Sequence, residues 1–370
     1  MKISFPYMGQ VTAYKKLLEK LGHEVIMPNK PTQRTFDLGV LYSPEFICYP
    51  FKVMTGTYIE ACEAGAEIIV SSGGNGPCRA GMYGEVHKKI LKQCGFKTEL
   101  VIFDSLFQNR KYFFSLLKRI ANGHSYLEVA SLALSCMKIV SELDKIDKKI
   151  NILRAYEVQK GSFDKVRRKI DKMYDEADTK KEIKAVYKKA LKMLDEVPIK
   201  KADEKDRVRI GIVGEIFVIM ESATNMEIEK RLNALGVEVT NVQCISEWVM
   251  HNLIPKKINF SKSWKVWHEG EMYKSCVCGG HDMENVGWIN EFAKEKYDGV
   301  VHLMPFGCLP ELITRSMIPE MSEKLDIPIL SMSIDEQNGE ANTQTRLEAF
   351  VDLCKNKKRT RNKKTGDRAL

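Results

Sequence analysis

Ten cysteines are spread along the 370-residue chain, and three of them stand in turn-like segments where they could meet a ligand. Cys78 lies in "SSGGNGPCRAGMYGE" (71–85), directly after an apolar run, "AEIIV", that reads as a buried strand. Cys308 lies in "YDGVVHLMPFGCLPE", again after an apolar strand and a glycine. Cys48 sits in "SPEFICYPFKVMTG", two residues before Pro50. Proline and glycine beside a thiol leave nearby backbone N–H groups free to point at a ligand. Three thiolates converging from three loops suit a metal ion or a metal–sulfur cluster. Zinc favours close pairs such as C-x-x-C, which none of the three has. Iron–sulfur clusters accept dispersed thiolates, and their sulfides take hydrogen bonds from backbone N–H groups. Gly74 and Gly76, beside Cys78, would supply such donors. The alternative use of a glycine loop after a strand is a phosphate cradle, which has no need of a thiol.

The remaining thiols divide in two. Cys62, Cys94, Cys136, Cys244 and Cys354 fall within helix or strand patterns and read as packing residues. Cys276, Cys278 and His281 in "YKSCVCGGHDMENVG" are spaced for joint ligation of zinc or a second iron–sulfur unit. Strand alternation would instead put one of the two thiols on each face, and that structural reading is the favoured one. Lys52 and Arg79 stand within a few residues of the candidate ligands. Positive charge there would raise a cluster's potential or bind an anionic substrate; ordinary surface charge is the equal alternative. Glu215, after the strand in "VRIGIVGEI", and Arg79 are the weak candidates for catalysis. Glu311, three residues past Cys308, suits the first turn of a helix.

The elements that must position these groups alternate strand and helix. "KISFPYM", "HEVIMP", "AEIIVSS" and "KTELVIF" are strands separated by helical patterns that end in glycine. The pattern returns in "VRIGIVGEI", "NMEIEKRLNALG" and "VEVTNV". Between them, glycine and proline become rare and charge becomes dense, as in "FDKVRRKIDKMYDEA", which reads as helix. The expected fold is therefore α/β: two Rossmann- or flavodoxin-like parallel-sheet domains with a helical insert between them. The expected bounds are 1–108 and 207–354 for the α/β domains, 109–206 for the insert, and 355–370 for a basic disordered tail. In such folds the crevice lies beyond the carboxyl ends of the strands, where Cys78 and Cys308 both fall.

Composition narrows the function. At 44% hydrophobic and 29% charged, the chain is ordinary for a globular protein. No run approaches about 18 uninterrupted apolar residues, so no membrane span is expected. The start lacks the apolar core of a secretion signal, which makes a cytoplasmic location and reduced cysteines the expectation. Much of the net charge of +9 lies in the tail, with seven Lys or Arg between Lys355 and Lys364. No base-reading or RNA-stacking motif accompanies it, so nucleic-acid binding is not expected. No Walker-type loop is present, so ATP hydrolysis would belong to a partner.

"CYPFKVMTG", "GGNGPCRAGMYGE" and "PFGCLPE" closely resemble the 2-hydroxyacyl-CoA dehydratase family, as does the start "FPYMGQ…LGHEVIMP". The nearest branch is that of the activator-related "CoA protein activase" proteins. The likeness covers nearly the whole chain except the helical insert and the tail. It implies two α/β domains with a helical segment, and a [4Fe-4S] cluster held by three cysteines, here Cys48, Cys78 and Cys308. It further implies an iron–sulfur ATPase activator as electron donor, an acyl-CoA substrate, a homo- or heterodimer, and oxygen sensitivity. In the dehydratases an electron makes a ketyl radical of the thioester, which loses hydroxide and returns the electron. Relatives reduce aromatic acyl-CoA, and one branch carries a double-cubane cluster and reduces small molecules. A non-catalytic electron-transfer or cluster-carrier protein, and a zinc-stabilised nucleotide-binding module, are the alternatives.

Overall fold

Short apolar runs of β-branched residues build two sheets in this computed structural model, which describes residues 1–73, 78–103, 109–253, 262–273, 278–337 and 339–366. The first sheet contains β1 (Lys2–Ser4), β2 (Glu24–Val25), β3 (Ile68–Ser72) and β4 (Glu99–Phe103), in the order β2-β1-β3-β4. The second contains β5 (Val208–Gly214), β6 (Val237–Asn241), β7 (Gly299–Pro305) and β8 (Ile329–Ile334), in the order β6-β5-β7-β8. Every pairing is parallel. All seven residues of β7 are buried, as expected of a central parallel strand covered on both faces. The expected α/β class with two flavodoxin-like sheets is what the chain adopts.

The two halves repeat one another in detail. In the first half, α1 (Val11–Lys20) joins β1 to β2, α2 (Gln33–Tyr42) and α3 (Tyr49–Glu63) join β2 to β3, and α4 (Tyr83–Gln93) precedes β4. Helices α2 and α3 touch backbone to backbone. A Cβ on Gly56 would lie 1.9 Å from the Thr35 carbonyl oxygen, and one on Gly39 would lie 2.1 Å from that of Lys52. In the second half, α12 (Lys262–Gly270) and α13 (Asp282–Lys294) use the same device. There Gly287 meets the Val266 carbonyl at 1.9 Å and Gly270 that of Met283 at 2.3 Å. One shift carries Thr35 to Val266, Gly39 to Gly270, Lys52 to Met283 and Gly56 to Gly287: 231 residues in every case. The same shift takes the start of β3, Ile68, to the start of β7, Gly299, and the end of α4, Gln93, to Lys324. Lys324 is the last residue of α14 (Leu309–Lys324).

Between the sheets run α5 (Arg110–Ile120), α6 (Tyr126–Leu153), α7 (Ser162–Glu176) and α8 (Lys180–Asp195). Leu116 and Ile120 of α5 pack with Ile3 and Val101 of the first sheet and with Phe5, just past β1. Helices α6 to α8 share their own core, in which Leu143, Ile146 and Ile150 meet Phe163, Ile170, Tyr174 and Leu194. Serine and threonine capping boxes, Ser125 with Glu128 and Thr179 with Glu182, start α6 and α8.

The second half also contains α9 (Ile216–Met220), α10 (Ile228–Ala234), α11 (Ile245–Leu253) and the terminal α15 (Glu340–Gly366). Its core includes Leu347, Phe350, Val351 and Cys354 of α15, and it continues into Tyr49 and Val53 of α3 from the first half. The basic segment expected to be disordered is corrected by α15, which runs as helix to Gly366. Lys358 and Arg361, three positions apart, close on the buried carboxylate of Asp298 at 3.0 and 3.1 Å. That anchor lies outside the segment, and the run itself carries no apolar stripe to announce a helix. No helix among the described residues is long and apolar enough to cross a membrane.

Candidate functional site

The three turn cysteines occupy the same structural position. Cys48 is the N-cap of α3, Cys308 the N-cap of α14, and Cys78 the N-cap of a 3-10 turn, Arg79–Met82, that leads into α4. All three have extended backbone, with ψ of 148°, 113° and 135° respectively. Proline in the first turn, Pro50 and Pro310, pre-sets the backbone for helix at a place where no N–H is needed. Each sulfur therefore stands at the positive end of a helical turn, an environment that favours a thiolate or another anionic group. Cys78 and Cys308 follow β3 and β7, the strands that the 231-residue shift superimposes, so the crevice draws on corresponding loops of both halves.

Burial works against charging these thiols. Cys48 and Cys308 are each 6% exposed. Burial raises the Cys48 thiol, and a hydrogen bond with the Tyr83 hydroxyl opposes the rise. Cys78 is raised by burial and opposed by the Ala80 N–H. Cys308 is pushed far up by burial, then by the carboxylates of Glu311 and Glu215. Cys308 also feels Cys48, and Cys48 feels Cys78. Buried, protonated thiols of this kind give up their protons readily only to a metal, which replaces the lost charge.

Arg79 joins the three loops. Its guanidinium donates to the Phe46 carbonyl at 2.8 Å, two residues before Cys48, and to the Gly307 carbonyl, one residue before Cys308. Lys52, the other candidate cation, is buried and paired with Glu336 at 2.6 Å. Glu215 caps α9, accepting from the Val218 N–H at 2.9 Å, and burial brings its carboxyl to about 7. Its charge is felt by all three thiols.

Below Cys308 lies a polar network that the sequence reading did not anticipate. Glu311 accepts from His302 at 2.7 Å and from the Asn285 amide at 2.9 Å. Asn285 in turn accepts from the Gly214 N–H at 3.0 Å and from Gln243 at 2.9 Å. The signal available was the histidine inside the otherwise apolar strand "GVVHLMP". Tyr83, the partner of Cys48, was equally unheralded.

The other expectations separate. Gly74, Gly76 and Cys276 lie outside the described residues. Cys278 precedes α13, where its N–H donates to Asp282 at 2.9 Å. His281 caps α13, and burial lowers it to about 4. Cys62, Cys136 and Cys354 are packed in cores, and Cys94 packs against one. Cys244 instead lines a polar cavity of about 240 Å³ between the helical segment and the second sheet. Three cations in its wall are already engaged: Arg167 with Asp147 at 2.5 Å, Arg154 with Asp164 at 3.2 Å, and Lys230 with Glu227 at 2.9 Å.

Among the described residues, no group of three or more His, Cys, Asp or Glu is gathered tightly enough to hold a single metal ion. A cubane cluster spaces its thiolates more widely than one ion does, because each sulfur binds a different iron. Three thiols at the N-termini of helical turns, Cys48 and Cys308 buried and Cys78 half-buried, all free of disulfides, fit that donor set.

No curated protein matches the chain. A sequence model described as "2-hydroxyglutaryl-CoA dehydratase, D-component" matches residues 136–353, a span that contains Cys308 and leaves Cys48 and Cys78 outside. The match covers more than half of the chain, which therefore belongs to the 2-hydroxyglutaryl-CoA dehydratase D-component family.

Proposed function

We propose that the chain is the iron–sulfur subunit of a radical acyl-CoA dehydratase or reductase, with Cys48, Cys78 and Cys308 holding a [4Fe-4S] cluster. The observation that carries this reading is that three cysteines from two domains cap three helical turns at one crevice, tied by one arginine. When bound, the cluster supplies single electrons at low potential, with one iron free of protein thiolate. The chain's own residues do the rest. Helix N-termini favour the anionic sulfurs. The buried setting of Cys48 and Cys308 keeps water away. Glu215, at about 7, holds or releases a proton at neutral pH beside the crevice. The chemistry requires an ATP-hydrolysing iron–sulfur partner as electron donor, an oxygen-free cytoplasm, and a second subunit in a dimer.

The test is anaerobic purification or reconstitution, with iron and sulfide analysis and an electron paramagnetic resonance spectrum of the dithionite-reduced protein. About four irons per chain, lost in Cys78→Ser and in Cys308→Ser but kept in Cys136→Ser, is the expected result. A reconstituted wild-type chain without iron, or a Cys308→Ser chain that retains all of it, overturns the reading.

A further inference from the structure

Arg79 follows Cys78 in sequence, yet both of its partners belong to the other two cysteine loops. One arm of the guanidinium donates to the Phe46 carbonyl at 2.8 Å, and the other donates to the Gly307 carbonyl. The fit is close: Gly307 has φ +74°, and a Cβ there would lie 3.4 Å from Arg79 Nη2 and 3.6 Å from the Phe46 oxygen. Both partners are neutral carbonyls, and among the described residues Arg79 pairs with no carboxylate. Its neighbour Lys52 is different, being neutralised by Glu336 at 2.6 Å. A guanidinium without a counter-ion beside buried thiols is a charge waiting for an anion. The charge of Arg79 already opposes the burial-driven rise of Cys48 and Cys78.

We propose that Arg79 is the positioning residue of the cysteine site, whose two-armed guanidinium fixes Cys308 of the second domain opposite Cys48 and Cys78 of the first, and whose charge, unpaired among the described residues, balances the anionic cluster. The charge half of this inference rests on the cluster reading above; the clasp half does not. Two tasks need an arginine. A planar fork aims separate N–H groups at two carbonyls from two domains in fixed directions, whereas lysine presents one point of charge on a flexible stem. A cation left unpaired near a cluster favours the more reduced, more negative state and so raises the potential.

The experiment compares full-length wild type, Arg79→Lys and Arg79→Met, each with and without iron. In iron-free protein the readout is the rate of alkylation of each cysteine, followed by mass spectrometry. Opening the clasp exposes Cys48 and Cys308, so both variants should be alkylated there at least tenfold faster than wild type, with Cys136 unchanged as the internal control. In reconstituted protein both variants should retain iron at least tenfold less well on dilution. The midpoint potential should fall in Arg79→Met and stay near that of wild type in Arg79→Lys. Unchanged alkylation in both variants overturns the clasp. Lysine restoring both iron retention and slow alkylation also overturns it, since charge alone would then suffice. A potential unmoved in Arg79→Met overturns the charge role. A wild-type chain that takes up no iron refutes the cluster instead, and the alkylation arm still decides the clasp. Gly307→Ala, which strains the same turn at φ +74° while keeping the arginine in the chain, should reproduce the faster alkylation of Cys308 if either Arg79 variant fails to fold.

Discussion

Nε2 of His302 lies 2.7 Å from Oε2 of Glu311, and neither side chain reaches solvent. Glu311 also takes the Asn285 amide, so its carboxylate is satisfied by groups of the second half of the chain. Removing it takes the acceptor from His302 Nε2 and leaves the Asn285 amide to the Gly214 carbonyl at 3.2 Å. Glu311→Ala should cost about 1–3 kcal/mol, by the usual penalty for leaving a buried polar group without its hydrogen-bond partner. Glu311→Gln, which keeps an acceptor oxygen, should cost less than half of that. Urea denaturation of the iron-free protein measures both, and equal losses would show that the hydrogen bonds do not matter.

The glycine contacts between helices make a second test. A methyl group on Gly56 would stand 1.9 Å from the Thr35 carbonyl, and one on Gly287 would stand 1.9 Å from the Val266 carbonyl. Neither carbonyl is a flexible side-chain tip, so each helix pair must part. Gly56→Ala and Gly287→Ala should each lower stability by about 1–3 kcal/mol, the range for overpacking. Because the positions correspond across the repeat, the two losses should be similar. A gain from either substitution, as expected for alanine at an ordinary helical site, would mean the helices are not in backbone contact.

His87 predicts the acid limb. Its ring stacks on Phe51 with centroids 3.9 Å apart, its Nε2–H donates to the Phe51 carbonyl, and burial lowers its pKa from 6.5 to about 4. The folded state therefore prefers the neutral ring. That contribution is complete above pH 6.5 and is lost as pH falls from 6.5 through 4, when the unfolded chain binds the proton more readily. The loss is about 3 kcal/mol at most. Stability measured at pH 7 and pH 4 should fall by about that much more in wild type than in His87→Phe. An identical acid slope in the two proteins would remove His87 from the account.

Asp298 tests the terminal helix. Its carboxylate is almost wholly buried and takes both Lys358 and Arg361. Truncation after Lys355 should therefore destabilise the chain by about 2–4 kcal/mol, with the isolated carboxylate as the main cause. Asn at position 298 should recover part of that loss in the truncated chain. A truncation without thermal effect would restore the picture of a solvated tail.

Sequence periodicity sufficed for seven of the eight described strands, since runs such as Ile68–Ser72 and Gly299–Pro305 are apolar and short, while β8 (Ile329–Ile334) went unread. It also placed Cys78 and Cys308 at strand ends, because a strand followed by glycine or proline leaves few places for the next residue. What pattern reading missed depends on contacts distant in sequence. Arg79 meets a carbonyl 228 residues away, and backbone carbonyls leave no mark on the sequence. Tyr83 reaches Cys48 across 35 residues. The helix in the tail is anchored by residues far upstream, among them a buried aspartate 60 residues before Lys358 and Asp326, which takes Lys357. Gly39 and Gly56 are where two backbones touch, a contact that helical periodicity alone does not mark.

Tyr49 and Val53 begin the helix that Cys48 caps, but they are packed among Ile210, Phe217, Val301 and Phe350 of the other half. A chain written twice over is therefore not two things that melt separately. Neither half can be excised without tearing apolar side chains from its neighbour, and the calorimetric transition that unfolds the second sheet must also release the loop of Cys48. Cooperativity, rather than likeness, binds the repeats, so heat reaches the cysteine crevice only when it has undone the whole of this shared core.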